Sequence, residues 1–230
     1  MEAEAFVRER GVVTLTPSSS LPSLYGACHE QPYIPGGKGF AGYPRTKYPW
    51  GFELRERPGI RWLRLLRGTG VFLSDEAAAL ADPLCRQELT RADEGVLGPE
   101  PARLVAHLRT AGPSLLDEVK EELGLSAAAL RRVRARLERV GAVVSREVVL
   151  ESGGHRHTSE LRRWDQLEPM PEPAAGGAGA LLVAGVRAAV VAPEPEARAW
   201  FSWPASLEVV DELVAEGILL RPEAGWLAAP

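Results

Sequence analysis

The chain has 230 residues, 45% hydrophobic and 25% charged, with a formal net charge of −4. That balance excludes wholesale disorder, and the length allows one large domain or two to three small ones. Two cysteines, Cys28 and Cys85, exclude a disulfide scaffold and fit a reducing compartment.

No run of eighteen apolar residues occurs, and the acidic start Met1-Glu2-Ala3-Glu4 is unlike a secretory leader, so a cytoplasmic protein without a membrane partner is expected. Charge is unevenly spread. Lys38 to Arg67 holds eight basic residues against Glu53 and Glu56, a net of +6, and Arg103 to Arg163 has a net of +4. From Arg187 onward the chain is acidic, with seven carboxylates against three arginines.

The first stretch with a pattern is Phe6-Val-Arg-Glu-Arg-Gly11-Val-Val-Thr-Leu15, a helix end, a glycine and then aliphatic residues suited to a strand. Gly36-Gly-Lys-Gly39 lacks the flanking strand and the Lys-Ser/Thr pair of a phosphate-cradling loop and is read as a plain loop. From Phe40 to Arg67, the aromatic residues Phe40, Tyr43, Tyr48, Trp50, Phe52 and Trp62 alternate with the cations, among them Lys47, Arg61, Arg64 and Arg67. Aromatic faces stack on unpaired bases while cations hold phosphates, so this mixture suits distorted or single-stranded nucleic acid. A loop anchored in the core by its aromatics would look the same.

The middle of the chain is the most legible part. Leu104, Val105 and Leu108 have helical spacing up to Ala-Gly-Pro113; Leu115 to Leu123 is a second helix with acids in its opening turn, broken by Gly124. Ser126 is placed to cap a third helix running to Val140, with Leu130, Val133, Leu137 and Val140 as its apolar stripe and Gly141 as its left-handed terminator. Val143-Val144 and Val148-Val149-Leu150 follow as two short strands joined through Ser-Arg-Glu147. Three short helices and then a two-stranded ribbon make the winged helix-turn-helix plan. In that plan the third helix reads DNA, which selects Arg131, Arg132, Arg134, Arg136 and Arg139, and the wing tip adds His155, Arg156 and His157. Guanidinium is planar, permanently charged and able to make two hydrogen bonds to phosphate or guanine.

Glu168 to Gly179 combines three prolines with three glycines and reads as a linker. Beyond it, Leu213-Val-Ala-Glu-Gly217-Ile-Leu-Leu220 repeats the pattern of Leu137-Glu-Arg-Val-Gly141-Ala-Val-Val144, yet its preceding helix carries Glu208, Asp211, Glu212 and Glu216. The expected organisation is therefore residues 1–95 as a helix–strand unit with a basic aromatic loop, a winged-helix variant in outline; 96–167 as a winged helix with an arginine-rich third helix; 168–179 as linker; and 180–230 as an acidic winged-helix-like unit. The fold class is α+β, mainly α, with tandem winged helix-turn-helix units and short β-ribbons. Cys28-His29 are adjacent and His155-x-His157 lacks a third ligand, so neither metal nor cofactor is expected, and both cysteines read as buried thiols.

The order Leu21-Pro-Ser-Leu-Tyr-Gly-Ala27, Trp50, then Arg61-Trp-Leu-Arg-Leu-Leu-Arg-Gly-Thr-Gly-Val-Phe-Leu-Ser74, then the winged-helix segment ending at Leu161-Arg-Arg-Trp164, resembles the AlkZ-related proteins, relatives of the AlkZ/YcaQ winged-helix DNA glycosylase superfamily. The resemblance spans roughly Phe6 to Leu227 and implies tandem winged helices and a link to DNA repair. It does not carry catalysis over. The glycosylases of that superfamily use a Gln-x-Gln or Gln-x-Asp pair, and none of Gln31, Gln87 and Gln166 has such a partner two residues downstream. The leading expectation is a DNA-binding protein that recognises duplex or distorted DNA without that pair, its catalytic residues, if any, being unknown. The alternatives are a glycosylase excising alkylated or crosslinked bases, with a pocket lined by Trp50 and Trp62, and a protein-interaction module in which the acidic C-terminal unit forms a homodimer or binds another protein.

Overall fold

The computed structural model describes residues 2–27, 34–42, 47–150, 156–167 and 176–230. The chain is α+β, with small antiparallel sheets. It divides into two compact units: Met1–Trp62, Gly70–Ala81 and Pro171–Pro230 form the first, and Leu63–Thr69 with Asp82–Met170 the second.

In the first unit, α1 (Glu2–Arg10) has acids in its first turn and arginines in its last, the arrangement that complements the helix dipole. It leads through Gly11 into β1 (Val12–Thr14). A short 3-10 turn (Gly39–Gly42) and α2 (Lys47–Arg55) follow, then the hairpin β2 (Ile60–Leu66) and β3 (Thr69–Ser74), which the two units share. The sheet order is β1-β3-β2, with Val12 opposite Leu73 and Thr14 opposite Val71. Val7, Val13, Leu24, Tyr25, Leu54, Ile60 and Phe72 pack as one buried cluster on this sheet. The segment from Phe40 to Arg67 is thus not a loop: within it lie the 3-10 turn, a helix and a strand. Pro49 is tolerated because it falls in the first turn of α2, where backbone N–H groups have no helical acceptor anyway.

Helix α3 (Asp75–Asp93) also runs through both units. The second unit continues with α4 (Pro99–Ala111), β4 (Ser114–Leu115), α5 (Leu116–Leu123), α6 (Ala127–Arg139), β5 (Val143–Leu150) and β6 (Arg156–Arg163), in the sheet order β4-β6-β5. Ser126 caps α6 by accepting from the Ala129 N–H at 3.2 Å, and Gly141 adopts φ 67°, as its position predicts. The ribbon differs from expectation. Val143 to Leu150 is one strand, because β6 offers an uninterrupted ladder of partners, Arg163 to Arg156, that carries the pairing through Ser145, Arg146 and Glu147. His157 therefore lies in β6 opposite Val149, and residues 151–155 connect the strands, outside the described residues.

The C-terminal segment folds within the first unit. It comprises α7 (Ala178–Ala189), β7 (Val191–Pro193), α8 (Glu194–Ala197), α9 (Leu207–Ala215) and β8 (Trp226–Ala228); β7 pairs with β8, and Leu220 bridges Ala228 on the other side. Residues 1–95 and 180–230, separate units by sequence, are thus joined for most of their length. Arg10 donates to the Ala188 carbonyl at 3.4 Å, the Ser20 N–H donates to Glu196 Oε1 at 2.7 Å, and Gly185 lies under the Trp200 ring beside Leu21. Contacts of this kind join segments nearly 180 residues apart and leave no composition signal. The linker is also shorter than expected, since α7 begins at Ala178; residues 168–175 lie outside the described residues.

Gly141 has a consequence for stability. A Cβ there would overlap Cys85 Sγ and stand 3.2 Å from Leu65 Cδ2, at a φ that alanine adopts only with strain. We expect Gly141→Ala to cost about 2–4 kcal/mol, left-handed strain and overpacking together. In a Cys85→Ala background the extra cost should fall to about 1 kcal/mol, the backbone share alone. A urea double-mutant cycle measures both, and equal costs in the two backgrounds would show that Cys85 is not the obstacle.

Candidate nucleic-acid interface

Helix α6 separates its faces cleanly. Ala129, Leu130, Val133 and Leu137 are buried, and Arg131, Arg132, Arg136 and Arg139 are exposed. Arg131, Arg132 and Arg136 have no ion-pair partner among the described residues. Three such guanidinium groups on the exposed side of one helix repel one another in water, a repulsion that nearby negative charge would relieve.

Arg134 is different. It is half-buried, and its Nε lies 3.6 Å from Oε1 of Glu138, whose side chain is only 5% exposed. The same carboxylate accepts a hydrogen bond from Ser145 Oγ and faces Arg64 Nε at 3.4 Å. Glu138 is the only acid on α6, four residues after Arg134, a spacing that places the two on one face. Its link to Arg64, 74 positions away, has no sequence signal.

Arg64 and Arg67 belong to the β2–β3 tip, residues Leu63–Thr69, which falls in the same unit as α6. Arg61 does not: it lies in the first unit, mostly buried, with Nε 2.7 Å from Asp75 Oδ1. Lys47 and Trp50 are in α2, also in the first unit, and their side chains lie outside the described residues, as does that of Arg156. His155 and Cys28 lie outside them altogether. His157 is exposed, with Nδ1 3.1 Å from Glu147 Oε1.

Trp62 is packed against its own unit. The Arg55 guanidinium sits 4.5 Å from its ring centroid, the Phe72 ring is 4.5 Å away, and Gly70 lies directly beneath it. Gln166 is equally occupied, donating to the Leu108 carbonyl at 2.6 Å and accepting from the Arg163 N–H at 3.0 Å, while Gln87 lies exposed on α3. Cys85 is fully buried, and that burial pushes its thiol pKa up, with Asp82 and Glu88 adding to the effect, so it is a poor nucleophile. Among the described residues no group of three or more His, Cys, Asp or Glu side chains could hold a metal ion, and no helix is long and apolar enough to cross a membrane.

The C-terminal segment has the opposite character. Glu208, Asp211, Glu212 and Glu216 are exposed on or just after α9. On the ribbon, Ala192 and Leu227 point inward and are fully buried, whereas Val191, Leu220 and Trp226 are 46%, 45% and 41% exposed. No protein-family model, curated protein or solved structure matches the chain.

Proposed function

We propose that the chain is a DNA-binding protein built of winged-helix units, with α6 as the reading helix and duplex or distorted DNA as the partner. The order helix, strand, helix, helix, strand, strand, with the first strand pairing the last, supports the architecture in α4 to β6. The same order recurs from α7 to β8, with Leu220 in place of the middle strand. It recurs again from α1 to β3, where the 3-10 turn stands for the second helix.

The observation that carries the functional reading is the outward arginine face of α6, with three of its guanidinium groups unpaired among the described residues. Phosphate contacts release counterions, so affinity for DNA should fall steeply between about 50 and 200 mM salt. Fluorescence anisotropy of a labelled DNA duplex across that range tests it, and binding that is absent or insensitive to salt would overturn it. The reading is of recognition rather than excision, because Gln166, Trp62 and Cys85 are all committed to packing or backbone hydrogen bonds.

The acidic α9 would repel phosphate, so the C-terminal segment is read as a contact between two copies of the chain. Val191, Leu220 and Trp226 favour this: an uncharged centre is what a two-fold contact requires, since groups on the axis meet their own copies. Sedimentation velocity should show a concentration-dependent dimer that Trp226→Ser with Leu220→Ser abolishes. A monomer at every concentration would discard the dimer while leaving the DNA reading untouched.

A further inference from the structure

The hairpin between β2 and β3 turns through two residues, Arg67 and Gly68, with φ of 54° and 97°. Positive φ is the left-handed region, which glycine enters freely and which, among residues with a side chain, asparagine tolerates best. Gly68 meets that demand without cost and has open space around it. Arg67 does not: a long L side chain is held in the left-handed region, where its Cβ crowds the carbonyl oxygen.

The tip is also held in place. Leu65 is fully buried beside Gly141, the residue just past α6, and Arg64 Nε faces the Glu138 carboxylate at 3.4 Å. The Gly68 N–H donates to the Arg64 carbonyl at 3.1 Å, a bond that spans Leu65, Leu66 and Arg67. A buried leucine and a buried carboxylate thus fix the strand end against the C-terminal part of α6, the end bearing Arg136 and Arg139. Arg67 is exposed at the apex and makes no hydrogen bond or ion pair among the described residues. Its charge does nothing for the fold, and its conformation works against it.

We propose that this tip is a second phosphate-contacting arm of the DNA interface, in which Arg67 grips the backbone beside the stretch engaged by α6. The proposal rests on the DNA reading above. It gives the turn a reason to carry a cation where asparagine would fit better, and it extends the interface to a segment more than 60 residues upstream of the reading helix.

The test uses the full chain with Arg67→Asn and Arg67→Lys. Asparagine suits the turn, so Arg67→Asn should raise the urea midpoint. It should also lower the slope of log affinity against log salt on a labelled DNA duplex by about 0.9, and weaken binding roughly fivefold at physiological salt. Lysine restores the charge, so Arg67→Lys should return the slope to the wild-type value. Gain in stability with loss of binding is a pair that damage to the fold does not produce. An unchanged slope in Arg67→Asn, or a loss of binding accompanied by a loss of stability, overturns the arm. If changing Arg132, Arg136 and Arg139 to alanine still lowers the slope in that case, the DNA reading stands without the arm; if the wild-type chain does not bind the duplex, both fall.

Discussion

Changing Arg132, Arg136 and Arg139 together to alanine is expected to lower the salt slope of DNA binding by nearly 3 and to weaken binding roughly a hundredfold at 0.15 M salt, each lost phosphate contact contributing about 0.9 to the slope. The fold should survive. All three side chains are exposed on α6, alanine is the strongest helix former, and exposed substitutions of this kind usually stay within about 0.5 kcal/mol. Arg134→Ala makes the internal contrast. Because its guanidinium lies against the buried Glu138 carboxylate, its loss should register in urea unfolding more than in the salt slope. A triple variant whose slope equals that of the wild type would remove α6 from the interface, whatever its affinity.

A large effect on stability is expected at Arg163, a residue with no part in the proposed interface. Its side chain is almost fully buried and forms a closed set of hydrogen bonds within the second unit. Nη1 and Nη2 donate to the two oxygens of Asp93 at 3.0 and 3.1 Å, Nε and Nη2 donate to those of Asp165 at 2.9 Å each, and Nη1 also reaches the Val105 carbonyl at 3.2 Å. Beside it, the buried Trp164 donates from Nε1 to Asp82 at 2.8 Å. Arg163→Ala leaves two carboxylates facing each other without their shared cation. Breaking a buried pair from one side costs about 3–5 kcal/mol, and the partial exposure of Asp165 places this case near 3 kcal/mol. Hydrogen exchange should accelerate in α4 and β6 in the variant, and a change confined to residues 163–165 would show that the network is only local.

The same network has a pH signature. The hydrogen bond from Arg163 holds the Asp165 carboxyl below its ordinary pKa, with the charge of Arg163 adding to the effect. A carboxyl depressed in the folded state contributes stability above its unfolded value, near 4, and loses it as pH falls through the folded value. Wild type should therefore shed this contribution on acidification below about pH 4, whereas Arg163→Ala keeps only the smaller share due to a backbone hydrogen bond and the charge of Arg86. The stability gap between the two proteins should narrow with falling pH; a constant gap would mean that Asp165 is not the titrating group.

The features of α6 were legible because they are local. A capping serine, apolar residues at helical spacing and a terminating glycine all lie within sixteen residues, and together they mark the helix, its buried side and its outward arginines. Helix α2 was hidden by its own composition, since Lys47-Tyr-Pro-Trp-Gly-Phe-Glu-Leu-Arg55 carries a proline and a glycine that weigh against a helix when position within the turn is ignored. Strand β5 was split because its polar centre, Ser145 to Glu147, looks like a turn until β6 is placed opposite it. Likewise, no local pattern distinguishes Arg61, paired with Asp75, from Arg67, which has no partner among the described residues.

Periodicity and capping, which depend on neighbours within a turn or two, were enough to specify α4, α5 and α6 and the basic character of the outward face of α6, but α3 was not read from the sequence. Which arginines remain available to a polyanion was decided in three dimensions. Glu138 collects Arg64 and Arg134 from different segments, Asp75 takes Arg61, and a two-residue turn holds Arg67 out alone. The reason is electrostatic. A buried carboxylate draws whichever cation the fold brings within a few ångströms, and that distance has no counterpart in separation along the chain.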